Sequence, residues 1–157
     1  MSEQAAAQND QQQFGLQRIF VKDVSFEMPQ GANLFAQAWQ PAVHQEIATR
    51  ATPLDEDRHE VVLVLTVTGK INEQVAFVVE VQQAGIFLIK GLSEEHLRQV
   101  VGATCPTILF PYARETIDSL MVRGTLPPLM LPPINFDVLY QQALAQQEAQ
   151  AAPEIKH

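Results

Sequence analysis

The chain has 157 residues, 46% of them hydrophobic, with 18 acidic against 10 basic side chains and a formal net charge of −8 at pH 7. That is apolar material for one domain with its own core, and an acidic balance without a Lys/Arg cluster excludes the usual footprint of nucleic-acid or anionic-membrane binding. With one cysteine, Cys105, no charged-then-apolar signal segment and no apolar run near the ~18 residues of a membrane helix, the chain reads as a cytoplasmic protein.

Residues 1–13, rich in Gln and Ala, read as a disordered arm and 146–157 as a flexible tail, leaving a single domain over 14–145. Spacing predicts a strand over 16–28, with Leu16, Phe20, Val24 and Phe26 on one face and Ile19, Val21, Asp23, Ser25 and Glu27 on the other. Pro29-Gln30-Gly31 ends it. A connection over 33–40 carries Leu34, Phe35 and Trp39, and a weaker strand over 42–51 precedes a charged turn at 53–58. β-Branched residues and Leu dominate 61–68, the clearest strand. A short link over 69–74 makes the next strand, 75–82, antiparallel to it. Gly85 permits a break or bulge, after which 86–89 stays extended.

Helices come next. Ser93 with Glu94 and Glu95 starts one that stops near Gly102. A longer helix is predicted over 106–123, with Leu109, Ala113, Ile117, Leu120 and Met121 as its apolar stripe. Pro111 should kink it or confine its regular part to the residues after 111, and Gly124 should end it. The Pro-rich stretch 126–134 fits neither helix nor central strand. Asn135 can cap a last helix with Phe136, Leu139, Tyr140, Ala143 and Leu144 on its apolar face. Strands first and helices last give an α+β class: a four-stranded antiparallel sheet followed by C-terminal helices. Residues 61–65 are apolar at every position, so both sheet faces need cover. Helices can supply one, and oligomerisation is the simplest source of the other.

Side-chain chemistry points to no reaction. There is no G-x-S-x-G, P-loop or G-x-G-x-x-G. Cys105 before Pro106 sits at a helix start, which can activate a thiol, but a buried structural cysteine is the commoner case. His44-Gln45-Glu46 matches half of a zinc-deaminase signature whose P-C-x-x-C half is missing. His44 and His59 lack a third ligand. Asp23 and Glu27 lie roughly 13 Å apart along one strand, too far for a catalytic dyad. No cofactor and no metal site is expected. Asp23, Glu27 and Glu80 instead suit a solvated face or an acidic patch for a basic partner. Residues 126–134 and the Phe35/Trp39 connection are apolar where loops are usually polar. They suit either a covering loop or a wall for varied apolar ligands.

Several stretches resemble the SecB family of bacterial protein-export chaperones: Val24-Ser25-Phe26-Glu27, Trp39-Gln40-Pro41, Glu80-Val81-Gln82-Gln83-Ala84-Gly85-Ile86-Phe87, Cys105-Pro106-Thr107-Ile108-Leu109-Phe110-Pro111-Tyr112-Ala113-Arg114-Glu115, Arg123-Gly124-Thr125 and Pro133-Ile134-Asn135-Phe136-Asp137. They keep the family's order over nearly all of 16–145; the tails do not match closely. The resemblance implies a homotetramer built as a dimer of dimers, which binds unfolded precursor polypeptides and hands them to the SecA ATPase. It implies an acidic SecA-binding face at Asp23, Glu27, Val78 and Glu80, where Val78 replaces the Leu that the family can carry. It also implies an aromatic client groove, for which Trp39, Phe77, Tyr112, Leu126, Leu129, Met130, Phe136 and Tyr140 are candidates. An α+β binding module for one folded partner is the alternative, and a small enzyme with an unrecognised site the third reading.

Overall fold

The computed structural model describes residues 12–151. Strands β1 (Gln13–Glu27), β2 (Ala42–Pro53), β3 (Arg58–Ile71) and β4 (Gln74–Lys90) form one antiparallel sheet in the order β1-β4-β3-β2. A 3-10 turn, Gly31–Ala36, lies between β1 and β2. Then come α1 (Glu94–Gln99), a π-helical turn (Val100–Thr104), α2 (Cys105–Arg123) and α3 (Phe136–Ala151). This is the α+β arrangement that the sequence predicts.

The strands outrun their predicted ends. β3 and β4 join through a two-residue hairpin in which Asn72 and Glu73 take φ of 50° and 64°. That mirror-image turn matches the twist of the flanking strands. Gly69, expected in the link, pairs within β3. β4 passes through Gly85 without interruption. A Cβ there would lie 2.7 Å from Phe87 Cε2 and 3.1 Å from Leu109 Cδ2. Glycine at 85 therefore allows a close helix-to-sheet approach, not a break.

β4 carries one bulge, where pairing steps from Gly69↔Phe77 to Lys70↔Val75, and β1 carries two. Pairing steps from Leu16↔Phe87 to Arg18↔Ile86, and from Val21↔Gln83 to Asp23↔Gln82, leaving Gln17 and Lys22 extra. Each extra residue shifts the alternation by one, so the predicted faces of this strand are corrected. Ile19, Val24 and Phe26 stand opposite Gly85, Val81 and Val79, and face the helices. Phe20, Asp23, Ser25 and Glu27 stand opposite Ala84, Gln82, Glu80 and Val78, and face the open side.

The core lies between sheet and helices. Val61, Leu63, Leu65 and Val67 of β3 and Phe77, Val79, Val81 and Phe87 of β4 are fully buried in one cluster with Leu109, Ala113, Ile117 and Met121 of α2. Burial of each large side chain contributes about 1.5–3 kcal/mol. Leu109 sits over Gly85, and Gly124 sits against Phe26, which pairs with Val79. α2 therefore runs antiparallel to β4.

The open face covers its own centre. Val62 and Ala84 there are 1% and 0% exposed without a helix above them. Arg50 Nη2 donates to Gln82 Oε1 at 2.8 Å, reaching from β2 over β3 to β4. Lys22 Nζ donates to Glu60 Oε1 at 2.6 Å, reaching from β1 over β4 to β3. The apolar stems of these long side chains shield the small residues between them. The centre of this face thus needs no second protein layer, contrary to the argument from residues 61–65.

In the helices, the Ser93 hydroxyl accepts from His96 N–H at 3.2 Å, as a cap should. The run does not stop at Gly102. Val100, Thr104 and Cys105 are all right-handed helical, and Cys105 N–H bonds the Val100 carbonyl five residues back. Pro106 explains the widened turn, because its ring lacks an N–H and crowds the carbonyl four residues earlier. α2 begins at Cys105 and continues across Pro111, so its regular part is not confined to the residues after that proline.

α2 closes with Thr125 N–H on the Val122 carbonyl and Leu126 N–H on the Met121 carbonyl, each at 2.9 Å. This is a Schellman closure in which Thr125, at φ 56°, takes the left-handed position usually held by glycine. Gly124 has φ −80° and is needed for space: its Cβ would lie 2.9 Å from both Met28 Sδ and Phe26 Cζ. A β-branched residue at positive φ is strained. Thr125→Gly is expected to stabilise the chain by about 1 kcal/mol, measured as a higher urea midpoint at unchanged slope.

The segment after α2 is pinned to it. Asp118 Oδ1 accepts from Leu129 and Met130 N–H at 2.9 and 3.2 Å, and Arg114 Nη1 donates to the Leu131 carbonyl at 3.3 Å. Asn135 Oδ1 accepts from Val138 N–H at 3.1 Å and caps α3. α3 continues past the predicted limit at 145, and Phe136 alone is buried along it. Residues 1–11 and 152–157, most of the predicted arm and part of the tail, lie outside the described residues.

Candidate functional site

Sheet register gathers the four acidic-face candidates. Glu27 stands opposite Val78, Ser25 opposite Glu80 and Asp23 opposite Gln82, each pair with Cα atoms about 4.5–5.5 Å apart. Val79 and Val81 point into the core, so Val78, Glu80 and Gln82 point outward, beside Asp23 and Glu27. The second bulge of β1 makes this possible, because unbroken alternation from Ile19 would have turned the two carboxylates toward the helices. Glu80 is half-buried, and its Oε2 accepts from the Thr66 hydroxyl at 3.1 Å. Thr66 in turn stands opposite Glu46 of β2. Ser25, Glu80, Thr66 and Glu46 thus form one cross-strand row. Glu46, exposed and 3.6 Å from His44 Nε2, is an acidic neighbour that the sequence reading missed. The alternation of β2 is the signal that could have found it.

Of the cations of this face, Lys22 is engaged by Glu60, whereas Arg50 bonds Gln82, directly opposite Asp23. The patch presents Asp23, Glu27, Glu80 and Glu46 beside the apolar Val78. Such a surface attracts a basic segment and offers it one apolar contact.

The apolar candidates fall into two clusters at opposite ends of α2. At its C-terminal end, Trp39 stacks on Phe77 with centroids 6.0 Å apart, and Leu126 is buried. At its N-terminal end, Phe136 meets Phe110 edge-on at 6.0 Å, and Tyr140 packs on Gly102. Tyr112 is exposed near this end, while Met130 is 75% exposed and Leu129 half-buried on the pinned segment. Phe77, Leu126 and Phe136 are core residues, so they support a surface without forming it. Trp39, Tyr112, Leu129, Met130 and Tyr140 are the ones a ligand can reach. Phe35, of the connection read from the sequence as a possible wall, is 56% exposed, and Val122, not named from the sequence, adds apolar surface at 58%. The eight candidates do not line one continuous groove within a single chain.

The residues weighed for chemistry lie apart. His44 stands opposite Thr68 and His59 opposite Pro53, at the two ends of the β2–β3 ladder. Cys105 is buried, and desolvation pushes its thiol up to about 12, which removes the thiolate a nucleophile or metal ligand needs. Among the described residues no group of three or more His, Cys, Asp and Glu is placed to hold a metal ion. No helix among them is long and apolar enough to cross a membrane.

Residues 7–147 match the family described as Preprotein translocase subunit SecB. The chain is 56% identical over 150 residues to the protein-export protein SecB of Ectopseudomonas mendocina, covering 94% of this chain and 93% of that one. It is 52% identical over 160 residues to the SecB of Hahella chejuensis, covering 100% of both. Among solved structures, the SecB-like chaperone of Mycobacterium tuberculosis, in complex with a ChAD peptide from an antitoxin, shares the fold. Its TM-score is 0.59 at 19% identity, covering 82% of this chain and 91% of that one. On sequence and fold together, this chain belongs to the SecB family.

Proposed function

We propose that this protein is a cytoplasmic export chaperone that binds unfolded precursor polypeptides, keeps them competent for translocation and delivers them to SecA. The observation that carries the reading is the convergence of Asp23, Glu27, Val78 and Glu80 on one side of the β1–β4 pair. That surface docks SecA and is separate from the apolar surface on the helix side that holds clients. Each ~100 Å² of client apolar surface buried there contributes on the order of 2.5 kcal/mol before entropy costs. A folded client has already buried such segments, so selectivity follows from slow client folding. No bond is made or broken, and release is driven by SecA.

The working form is a tetramer, a dimer of dimers. β1 is an edge strand exposing Phe14, Leu16, Phe20, Val21 and Val24, whereas edge strand β2 presents His44, Glu46 and Arg50 with Val43 as its one exposed large hydrophobic. Charge guards an edge against pairing, and an apolar edge invites it. β1 therefore suits a two-fold pairing of sheets. Exposed Val122 on α2, outside the groove candidates, suits a second contact between dimers. Light scattering is expected to give about four times the 17.5 kDa chain mass. A monomer at micromolar concentration would remove the assembly.

Trp39 is the single tryptophan, and it is half-buried against Phe77 at the rim of the apolar surface. A reduced, unfolded polypeptide is expected to shift its emission and shield it from iodide, while the folded form of the same polypeptide does neither. Unchanged emission and quenching at saturation would exclude Trp39 from the client surface.

A further inference from the structure

We infer that Glu60 is a positioning residue for the acidic docking face, holding the Lys22 ammonium away from Asp23, Glu27 and Glu80. This rests on the SecA-docking reading above. Lys22 is the surplus residue of the second β1 bulge, immediately before Asp23. A bulge of this kind directs consecutive side chains toward one side of the sheet, and the reach of Lys22 to Glu60 places its ammonium on the open face. An ammonium so close to a carboxylate row would pair with the row itself. Instead Lys22 Nζ lies 2.6 Å from Glu60 Oε1, across β4. Glu60 stands opposite Ile86, four residues along β4 from Gln82, the partner of Asp23. The pair therefore draws the positive charge toward the far end of the face.

The burial of the pair favours this geometry. The side chains of Lys22 and Glu60 are 41% and 19% exposed, so Glu60 is the better sequestered partner. Ala84, on the stretch of β4 between the partners of Asp23 and Glu60, is buried. Arg50, by contrast, bonds Gln82, directly opposite Asp23. The other charged groups of this face are Arg18 opposite Ile86, Glu46 opposite Thr66, Lys70 at the β3 end, Arg58 opposite Leu88, which pairs with Asp55, and Lys90, which pairs with Asp57 at 3.3 Å. Lys22 is the cation nearest in sequence to the docking carboxylates. Without Glu60, its ammonium relaxes onto Asp23 and competes with the partner's basic segment.

A double-mutant cycle tests this, with purified SecA titrated calorimetrically into wild type, Glu60→Gln, Lys22→Gln and the double variant, at low and moderate salt. Glu60→Gln is expected to weaken SecA binding about three- to tenfold at low salt and less at higher salt. In the Lys22→Gln background the same substitution is expected to change affinity less than about twofold, because no ammonium is left to misplace. Glu60→Asp keeps the charge but shortens its reach, and is expected to weaken binding in the same direction. An equal penalty for Glu60→Gln in both backgrounds would reduce Glu60 to one more negative charge, and no penalty in wild type would overturn the inference outright. Glu80→Lys is run alongside. If it too leaves affinity unchanged, the docking face itself fails; if it abolishes binding while the Lys22–Glu60 cycle is additive, the positioning role alone fails.

Discussion

Gly69→Ala is expected to destabilise the chain by about 2–3 kcal/mol, lowering Tm by about 4–12 °C for a domain of this length. Gly69 is buried in β3 directly opposite Phe77 of β4. An added methyl would fall on the Phe77 ring itself, with Cε1, Cζ and Cδ1 its three nearest atoms. Phe77 cannot yield freely, since it is fully buried and Trp39 is stacked on it at 6.0 Å. The strain should pass to Trp39, so native-state emission should shift to the red. Phe77→Leu should recover part of the loss in the Gly69→Ala background while being destabilising on its own. Such a sign reversal comes from a steric pair and not from strand propensity. Equal stabilities for wild type and Gly69→Ala would mean that the ring has room to move.

Charge reversal on the open face should have the larger functional effect. Glu80→Lys is expected to weaken SecA binding by more than tenfold at low salt, or about 1.4 kcal/mol and upward, with the difference shrinking as salt rises. Glu80 sits mid-row, fixed by the Thr66 hydroxyl and flanked by Glu46 and, through its neighbours, by Asp23 and Glu27. Reversal there both removes an attraction and creates a repulsion. Asp23→Lys and Glu27→Lys should act in the same direction. Client binding and oligomer mass should be unchanged, because the apolar surface lies on the other side of the sheet. Calorimetry with SecA, and separately with an unfolded client, measures both. Wild-type affinity in all three variants would leave these carboxylates as a solvated surface and no more.

Much of the fold is legible in the residues. The β-branched stretch 61–68, the Ser93 and Asn135 caps and the α2 stripe each come from one local rule, and each lies where that rule puts it. β1 defeats simple alternation. Apart from Phe20 on the open side, its apolar residues come in pairs, Phe14/Leu16, Ile19/Val21 and Val24/Phe26, with a step of three between pairs, and those steps fall at the two bulges. The docking candidates come from the family resemblance, but only the bulge at Lys22 explains why carboxylates of β1 and β4 share a side. Trp39 and Phe77 meet, as do Phe110 and Phe136, through contacts distant in sequence that no spacing rule announces. The self-shielding of Val62 and Ala84 is likewise invisible in the sequence, since it depends on which long side chains cross which strand.

The π-helical turn at Val100–Thr104 acts as a rotational gear between α1 and α2. It holds one residue more than an α-helical path of the same length, and each residue of α-helix turns the next segment by about 100°. Deleting one residue from this turn would let the two helices merge into a regular α-helix and swing every α2 side chain by that angle about its axis. Leu109, Ala113, Ile117 and Met121, now buried against β3 and β4, would leave the sheet, and Arg114 and Asp118 would lose the Leu131 carbonyl and the Leu129 and Met130 amides they hold. A one-residue deletion at a half-buried turn would thus cost the fold more than many substitutions inside the core.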